Sequence, residues 1–133
     1  MPTKELSVFA TADYKGLSEE ERNIFKSVVR EMSQKGIFSR TDAPVIASYS
    51  RNVVLARLAM LEVAKYGVLI KETDNYHGEK LRENPAISIL NKAQRAYEDS
   101  ALRLGLTPAG RKKVGAEDKK EKSPLQEWMS NNE

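Results

Sequence analysis

The longest stretch without a helix breaker is VIASYSRNVVLARLAMLEVAKY, residues 45–66. Its apolar residues recur at spacings of three and four, which predicts an α-helix. Additional leucines make the second half apolar nearly all round, and such a helix has to be covered on more than one side. Gly67 ends the stretch, and Pro44 lies in its first turn, after Thr41 or Asp42 as the N-cap. The sequence therefore predicts a long central helix as the spine of the fold.

A second helix is predicted on the N-terminal side of this stretch. Ser18 and Glu21 have the spacing of a capping box, in which each side chain accepts a hydrogen bond from the other residue's backbone N–H. Apolar residues then recur at helical spacing as far as Met32, and Gly36, which follows Lys35, suits the end of a helix. We predict a helix over residues 19–35, which forms a helix–turn–helix-like pair with the central helix.

The C-terminal side is predicted to hold two more helices and one extended segment. Residues 68–81 begin with strand-favouring residues and continue with turn-forming pairs, so they form either a short β-hairpin or an ordered loop. Asn84 and Pro85 suit the start of a third helix, antiparallel to the central one, that ends at Gly105. Thr107–Pro108 repeats this start signal for a short C-terminal helix. The predicted fold class is all-α.

Three regions differ in composition. Residues 1–17 show no hydrophobic period, which predicts a loosely held, flexible N-terminal arm, with Phe9 and Tyr14 available to dock it onto the body. Residues 18–114 hold the predicted helices and are expected to form one helical domain. Residues 115–133 are a charged linker followed by a tail.

The composition limits the classes of function. The chain has 133 residues, enough for one compact domain, and its net charge of +3 permits nucleic-acid contact without requiring it. Without cysteine, disulfide frameworks and thiolate metal sites are excluded. The mean hydropathy is −0.58, and no apolar run reaches the roughly 20 residues that span a bilayer. A soluble protein without a secretory signal or a membrane partner is expected.

No catalytic set is visible. His77 is the single histidine, and it lies in a turn-rich segment where surface exposure is expected. Neither a nucleophile elbow nor a G-x-x-x-x-G-K-[ST] phosphate loop is present. The sequence therefore favours a binding protein over an enzyme, with no metal and no cofactor.

Cations line one side of the first long helix. Arg22, Lys26 and Arg30 fall at i, i+4 and i+8, and we call this set the basic ridge. The positive charge continues around the turn and into the central helix, at Lys35, Arg40 and Arg51. A helix pair with a basic face can meet DNA phosphates, and the alternative is an ordinary solvated face.

Two features point to subunit or partner contacts. The central helix has excess apolar surface, which either one domain buries internally or subunits bury between them. Within it, Arg57 needs a carboxylate partner or an exit to solvent, and one hypothesis places that carboxylate on another subunit. In the tail, Leu125, Trp128 and Met129 recur at helical spacing, so this segment either docks in a partner's groove or folds back onto its own body.

One block resembles the small subunit of phage terminases. It runs from Asn84–Pro85 to LGLTPAGRKKV, residues 104–114, and the wider resemblance covers residues 18–114. The helix between the two motifs carries spaced positions of the family at Leu90, Ala93 and Tyr97. The resemblance implies a mainly helical, non-enzymatic DNA-packaging protein that acts in the cytoplasm of the infected bacterium. Such a protein assembles as a ring, recognises double-stranded viral DNA, and recruits and regulates the large ATPase–nuclease subunit.

The resemblance also implies residue roles. The basic ridge and the cations that extend it would face DNA, with Lys112 and Lys113 as a second patch. The central and third helices would build the ring through Tyr49, Val53, Arg57, Met60, Leu61 and Tyr97. The large subunit would be docked by Leu125, Trp128 and Met129.

Two other classes remain open. A small helix–turn–helix transcription regulator shares the basic helix pair but normally binds a two-fold operator as a dimer. A structural adaptor of a virion would not bind DNA. The native mass, measured with and without DNA, separates these three classes.

Overall fold

The computed structural model describes residues 7–73, 76 and 78–113. Within them, five helices and one two-stranded antiparallel sheet follow each other along the chain. In order, they are α1 (Ala12–Lys15), α2 (Glu19–Gln34), a 3₁₀ turn (Arg40–Asp42), α3 (Ala43–Tyr66), β1 (Leu69–Thr73), β2 (Glu79–Glu83), α4 (Pro85–Leu104) and α5 (Pro108–Lys113). The predicted helical fold, with a long central helix, is confirmed.

The start of α2 is fixed by the capping box that the sequence predicts. The Ser18 hydroxyl accepts from the Glu21 backbone N–H at 3.3 Å, and the Ser18 N–H donates to the Glu21 carboxylate at 2.9 Å. The start of α3 is built differently, because Asp42 occupies the N-cap position without making a side-chain capping hydrogen bond. Partial burial raises the pKa of Asp42, and a backbone hydrogen bond from Ser39 opposes this shift.

Strands β1 and β2 pair antiparallel as a β-hairpin, which settles the choice between a hairpin and a loop. Leu69 pairs with Glu83 and Thr73 with Glu79, so the hairpin joins the end of α3 to the start of α4. At its base the Asn84 side chain caps α4 through the Ala86 N–H and also donates to the Gly67 carbonyl at 2.9 Å. This one amide therefore ties the two long helices together.

Helices α3 and α4 pack along each other in opposite directions. Near the start of α3 and the end of α4, the Tyr49 and Tyr97 rings meet edge to face at 6.2 Å. Near the hairpin, Ala59 and Ala86 line the same groove. The predicted antiparallel arrangement of these helices is confirmed.

The main core lies between α2, the first half of α3 and residues 7–17. Its fully buried side chains include Phe25, Met32 and Ile46. Residues 7–17 contribute Val8, which is fully buried, and Leu17, which is nearly so. We call residues 7–17 the N-terminal strap.

Aromatic rings fasten the strap to the domain. The Phe9 ring lies 5.1 Å from the Tyr14 ring and 6.3 Å from the Phe25 ring, centroid to centroid. These contacts realise the docking through Phe9 and Tyr14 that the sequence offered. The loosely held arm expected for residues 1–17 is therefore not found at residues 7–17, and residues 1–6 lie outside the described part.

Candidate DNA and subunit interfaces

The three members of the basic ridge do not share one environment. Lys26 and Arg30 are exposed on α2. Arg22 is half-buried: its Nη2 donates to the Lys15 carbonyl at 2.6 Å, and its guanidinium lies 5.5 Å from the centroid of the Tyr14 ring. The strap thus holds Arg22 in place, while the other two side chains extend into solvent.

The other predicted DNA-contacting cations are spread over the domain. Lys35, the residue after α2, pairs with Glu31 at 3.3 Å, and Arg40 is exposed in the 3₁₀ turn. Lys112 and Lys113 are exposed at the end of α5. DNA contact by each of these cations stays a prediction.

Arg51 occupies a position that sequence reasoning missed. A Cβ atom built on Gly16 would lie 3.9 Å from Arg51 Nη2. Arg51 of α3 and Arg22 of α2 therefore reach the same turn, Lys15–Gly16, from two different helices. Spacing along the chain gives no signal for this convergence, because the strap that brings the two together carries no hydrophobic period.

The second half of α3 exposes the apolar surface that the sequence predicts. Leu58 is 53% and Leu61 60% exposed, and Leu55 and Met60 are also exposed. A shallow apolar groove runs from Leu55 across Ala59 to Ile89 on α4. We call the exposed side chains Leu55, Leu58 and Leu61 the bare stripe. No described element covers the bare stripe.

The residues predicted to build the ring divide into two groups. Met60 and Leu61 are exposed on the second half of α3. Tyr49, Val53 and Arg57 line a separate groove between α2, α3 and the α4–α5 corner. Tyr97 meets the Tyr49 ring edge to face beside this groove. Burial raises the pKa of Tyr49, and Tyr97 and Glu31 raise it further.

The hypothesis that Arg57 needs a carboxylate from another subunit is wrong. Arg57 forms an ion pair with Glu20 at the start of α2, and about half of each side chain remains exposed. Arg57 therefore has both a carboxylate partner and access to solvent within one chain, and either one avoids the energetic cost of burying an unpaired charge. Whether Arg57 also contacts a neighbouring subunit stays a prediction.

Some predicted features lie outside the described residues. These are His77 and the tail positions Leu125, Trp128 and Met129. Among residues 7–73, 76 and 78–113, no helix combines the length and hydropathy needed to cross a bilayer. The same residues contain no group of three histidine or carboxylate side chains placed to hold a metal ion.

The comparison with protein families identifies the family of this chain. A family model described as “Phage terminase, small subunit” matches residues 22–121, which is most of the chain and takes in nearly all of α2 and everything from there through α5. Comparisons with curated proteins and with solved structures found no match. The matched region contains the basic side of α2, the bare stripe, and the Asn84-capped helix with its LGLTPAGRKKV end. The chain therefore belongs to the phage terminase small subunit family.

Proposed function

We propose that this small subunit recognises viral duplex DNA, assembles as a ring and recruits the large ATPase–nuclease subunit in the cytoplasm of the infected bacterium. It acts by binding and carries no catalytic site of its own. The observation that supports the proposal most strongly is the bare stripe on α3, because a soluble domain rarely leaves several neighbouring leucines half-exposed unless another surface covers them.

Assembly is proposed to run through the bare stripe and the adjacent α4 surface. The stripe leucines and Ile89 border one groove, so a neighbouring subunit can cover them together. A ring needs heterologous contacts, in which this surface meets a different surface of the next copy and the rotation closes. The first half of α3, which is buried against α2 and the strap, would keep each subunit folded and would not take part in this contact.

DNA contact is proposed for the exposed side of α2. Lys26 and Arg30 lie four residues apart on one side of α2. Both side chains are exposed, which is necessary for a cation that binds DNA phosphates. Such contacts position a duplex without reading its sequence, so replacing both residues with Gln should weaken binding to all duplexes alike. The slope of log K against log salt should become less negative by about 0.9 for each phosphate that the variant no longer neutralises. Unchanged affinity would remove these cations from the DNA surface.

Large-subunit recruitment is proposed for the tail, on the strength of the family and of Leu125, Trp128 and Met129 in its sequence. Deleting residues 123–133 should abolish capture of the large subunit while leaving the number of subunits in the assembly unchanged. Retained capture would place the interface on the folded domain.

The proposal as a whole is tested by native mass spectrometry with and without duplex DNA. One chain has a mass of 15.0 kDa, so each assembly is read directly from its multiple of that mass. We expect one closed assembly larger than a dimer that also binds duplex DNA. A dimer on two-fold DNA would favour a transcription regulator, and a large assembly indifferent to DNA would favour a structural adaptor.

A further inference from the structure

Two arginines from different helices converge on the turn between α1 and α2. Arg22 donates to the Lys15 carbonyl at 2.6 Å, and Arg51 Nη2 lies 3.9 Å from the point where Gly16 would carry a Cβ. The Lys15 side chain adds a third positive charge at the same turn. The strap creates this arrangement, because its Tyr14 ring packs on Phe25 of the core and holds the Arg22 guanidinium.

The convergent charges have no carboxylate partner in the described structure. Every ion pair found among residues 7–73, 76 and 78–113 involves other cations. Asp13 and Glu19 flank the turn in sequence, but neither of these described residues pairs with Arg22 or Arg51. Neighbouring like charges with spare donors favour an anion that accepts from both.

We propose that Arg22 and Arg51 together hold one phosphate of the DNA backbone, and that Tyr14 positions Arg22 for this contact. The inference rests on the proposed DNA function and specifies one contact within it. A planar guanidinium matches the geometry of phosphate oxygens, and two of them can grip one phosphate from two sides. Lys26 follows Arg22 by one helical turn on α2, so a DNA strand that leaves this site meets the next cation of the basic ridge.

A double-mutant cycle tests whether the two arginines share a phosphate. Arg22→Gln, Arg51→Gln and the double variant are compared with the wild type in duplex binding at several salt concentrations. Each single variant should weaken binding several-fold, and the double variant should lose less than the product of the two effects, because both act on one contact. Lys26→Gln with Arg30→Gln is the matched control, and its effects should multiply.

The role of the strap is tested without changing any charge. Tyr14→Leu removes the ring beside Arg22 and should weaken DNA binding, whereas Tyr14→Phe keeps the ring and should bind as the wild type does. Unfolding curves of both variants confirm that the domain remains folded. Equal binding by the two variants would overturn the positioning role of Tyr14.

Three results would overturn the shared phosphate. The first is a wild-type level of binding in Arg22→Gln and Arg51→Gln while Lys26→Gln still weakens it, and the second is fully multiplicative loss. In both cases the protein still binds DNA, so the proposed function survives. The third is binding of inorganic phosphate that Arg22→Gln and Arg51→Gln abolish while their DNA affinity stays at the wild-type level, which would assign the turn to a free anion. Failure of the wild type to bind any duplex would instead reject the DNA function and this site with it.

Discussion

The two halves of α3 carry one apolar stripe in two different environments. Ala43, Ala47 and Val54 lie on one side of the helix and are buried. The same stripe continues to Leu58 and Leu61, which are exposed. The two environments differ because α2 covers only part of the stripe. Helix α3 has 24 residues and α2 has 16, so α3 is longer than α2 by about 12 Å. Burial of this stripe is therefore decided by where α2 begins and not by the hydrophobicity of α3 itself.

The Glu20–Arg57 ion pair marks the boundary between these halves. On its inner side lie the core residues, which α2 and the strap cover. On its outer side lies most of the bare stripe. The first half of α3 therefore contributes to the stability of a single chain, whereas the second half is available for contacts between chains.

The largest expected effect is the loss of stability caused by a substitution in the buried first half of α3. Ile46 is fully buried, so Ile46→Ala should lower the free energy of unfolding by about 2–5 kcal/mol, through lost burial and the cavity left behind. Leu61→Ala removes an equally large apolar side chain from the bare half and should change that free energy by less than about 0.5 kcal/mol. Urea unfolding at low protein concentration measures both without a contribution from assembly. Equal costs would mean that the two halves are covered alike.

The sequence predicted the elements of this comparison better than their contacts. Local signals sufficed for the Ser18 capping box and for helix ends at Gly67 and Gly105, because each depends on a few neighbouring residues. The boundary pair was missed, since Glu20 and Arg57 are brought together by packing of two helices. For the strap, docking of Phe9 and Tyr14 was foreseen, but the burial of Val8 and Leu17 was missed, because these residues are too few to show a period.

For the candidate interfaces too, the sequence predicted the residue types but not the contacts between elements. An excess of apolar surface on α3 was visible in the sequence, because leucines occupied too many faces of one helix. Which leucines remain exposed depends on the length and placement of α2, which no local pattern encodes. Likewise, the cation types were visible, but the convergence of Arg22 and Arg51 on one turn required the fold.

The next effect in size concerns assembly through the bare half. Leu58 and Leu61 are each about half-exposed, so covering both in an interface is worth about 2 kcal/mol, or roughly thirtyfold in the association constant. Leu58→Gln combined with Leu61→Gln should therefore dissociate the assembly at dilutions where the wild type remains intact. Sedimentation velocity across a dilution series measures this shift.

A matched leucine controls for general loss of hydrophobicity. Leu81 on β2 is 62% exposed, and Leu81→Gln should leave the assembly unchanged if the interface is confined to the helices. Dissociation by Leu81→Gln alone, with Leu58→Gln and Leu61→Gln silent, would move the subunit contact from α3 to the hairpin.

A smaller effect is expected at the boundary itself. Because both Arg57 and Glu20 are about half-exposed, their pairing should contribute no more than about 0.5–1 kcal/mol to stability. Arg57→Gln, Glu20→Gln and the double variant form a cycle that isolates this term in urea unfolding. Lys65→Gln, further along α3, provides the control for removing a cation. A cost above about 2 kcal/mol would show that the pair is desolvated, and hence that the cover extends further along α3 than the described elements reach.

The smallest effect is a pH dependence that reports on the groove beside the boundary. Burial, Tyr97 and Glu31 raise the pKa of Tyr49, so the folded chain holds this proton more tightly than the unfolded chain does. The stability gained from this difference is present at neutral pH. It is lost as the pH rises above about 10, where the unfolded tyrosine ionises first. Tyr49→Phe should flatten this alkaline loss in urea unfolding, and an unchanged loss would assign it to other groups.

The same ionisation can be followed in the assembled protein. If a neighbouring subunit covers the groove that holds Tyr49, the additional burial should move its ionisation to still higher pH as the protein concentration rises. The difference in phenolate absorbance between the wild type and Tyr49→Phe isolates this one residue. A titration independent of concentration would place the subunit contact on the bare stripe alone and leave the groove beside Arg57 open, because only a covered tyrosine is shielded further from water.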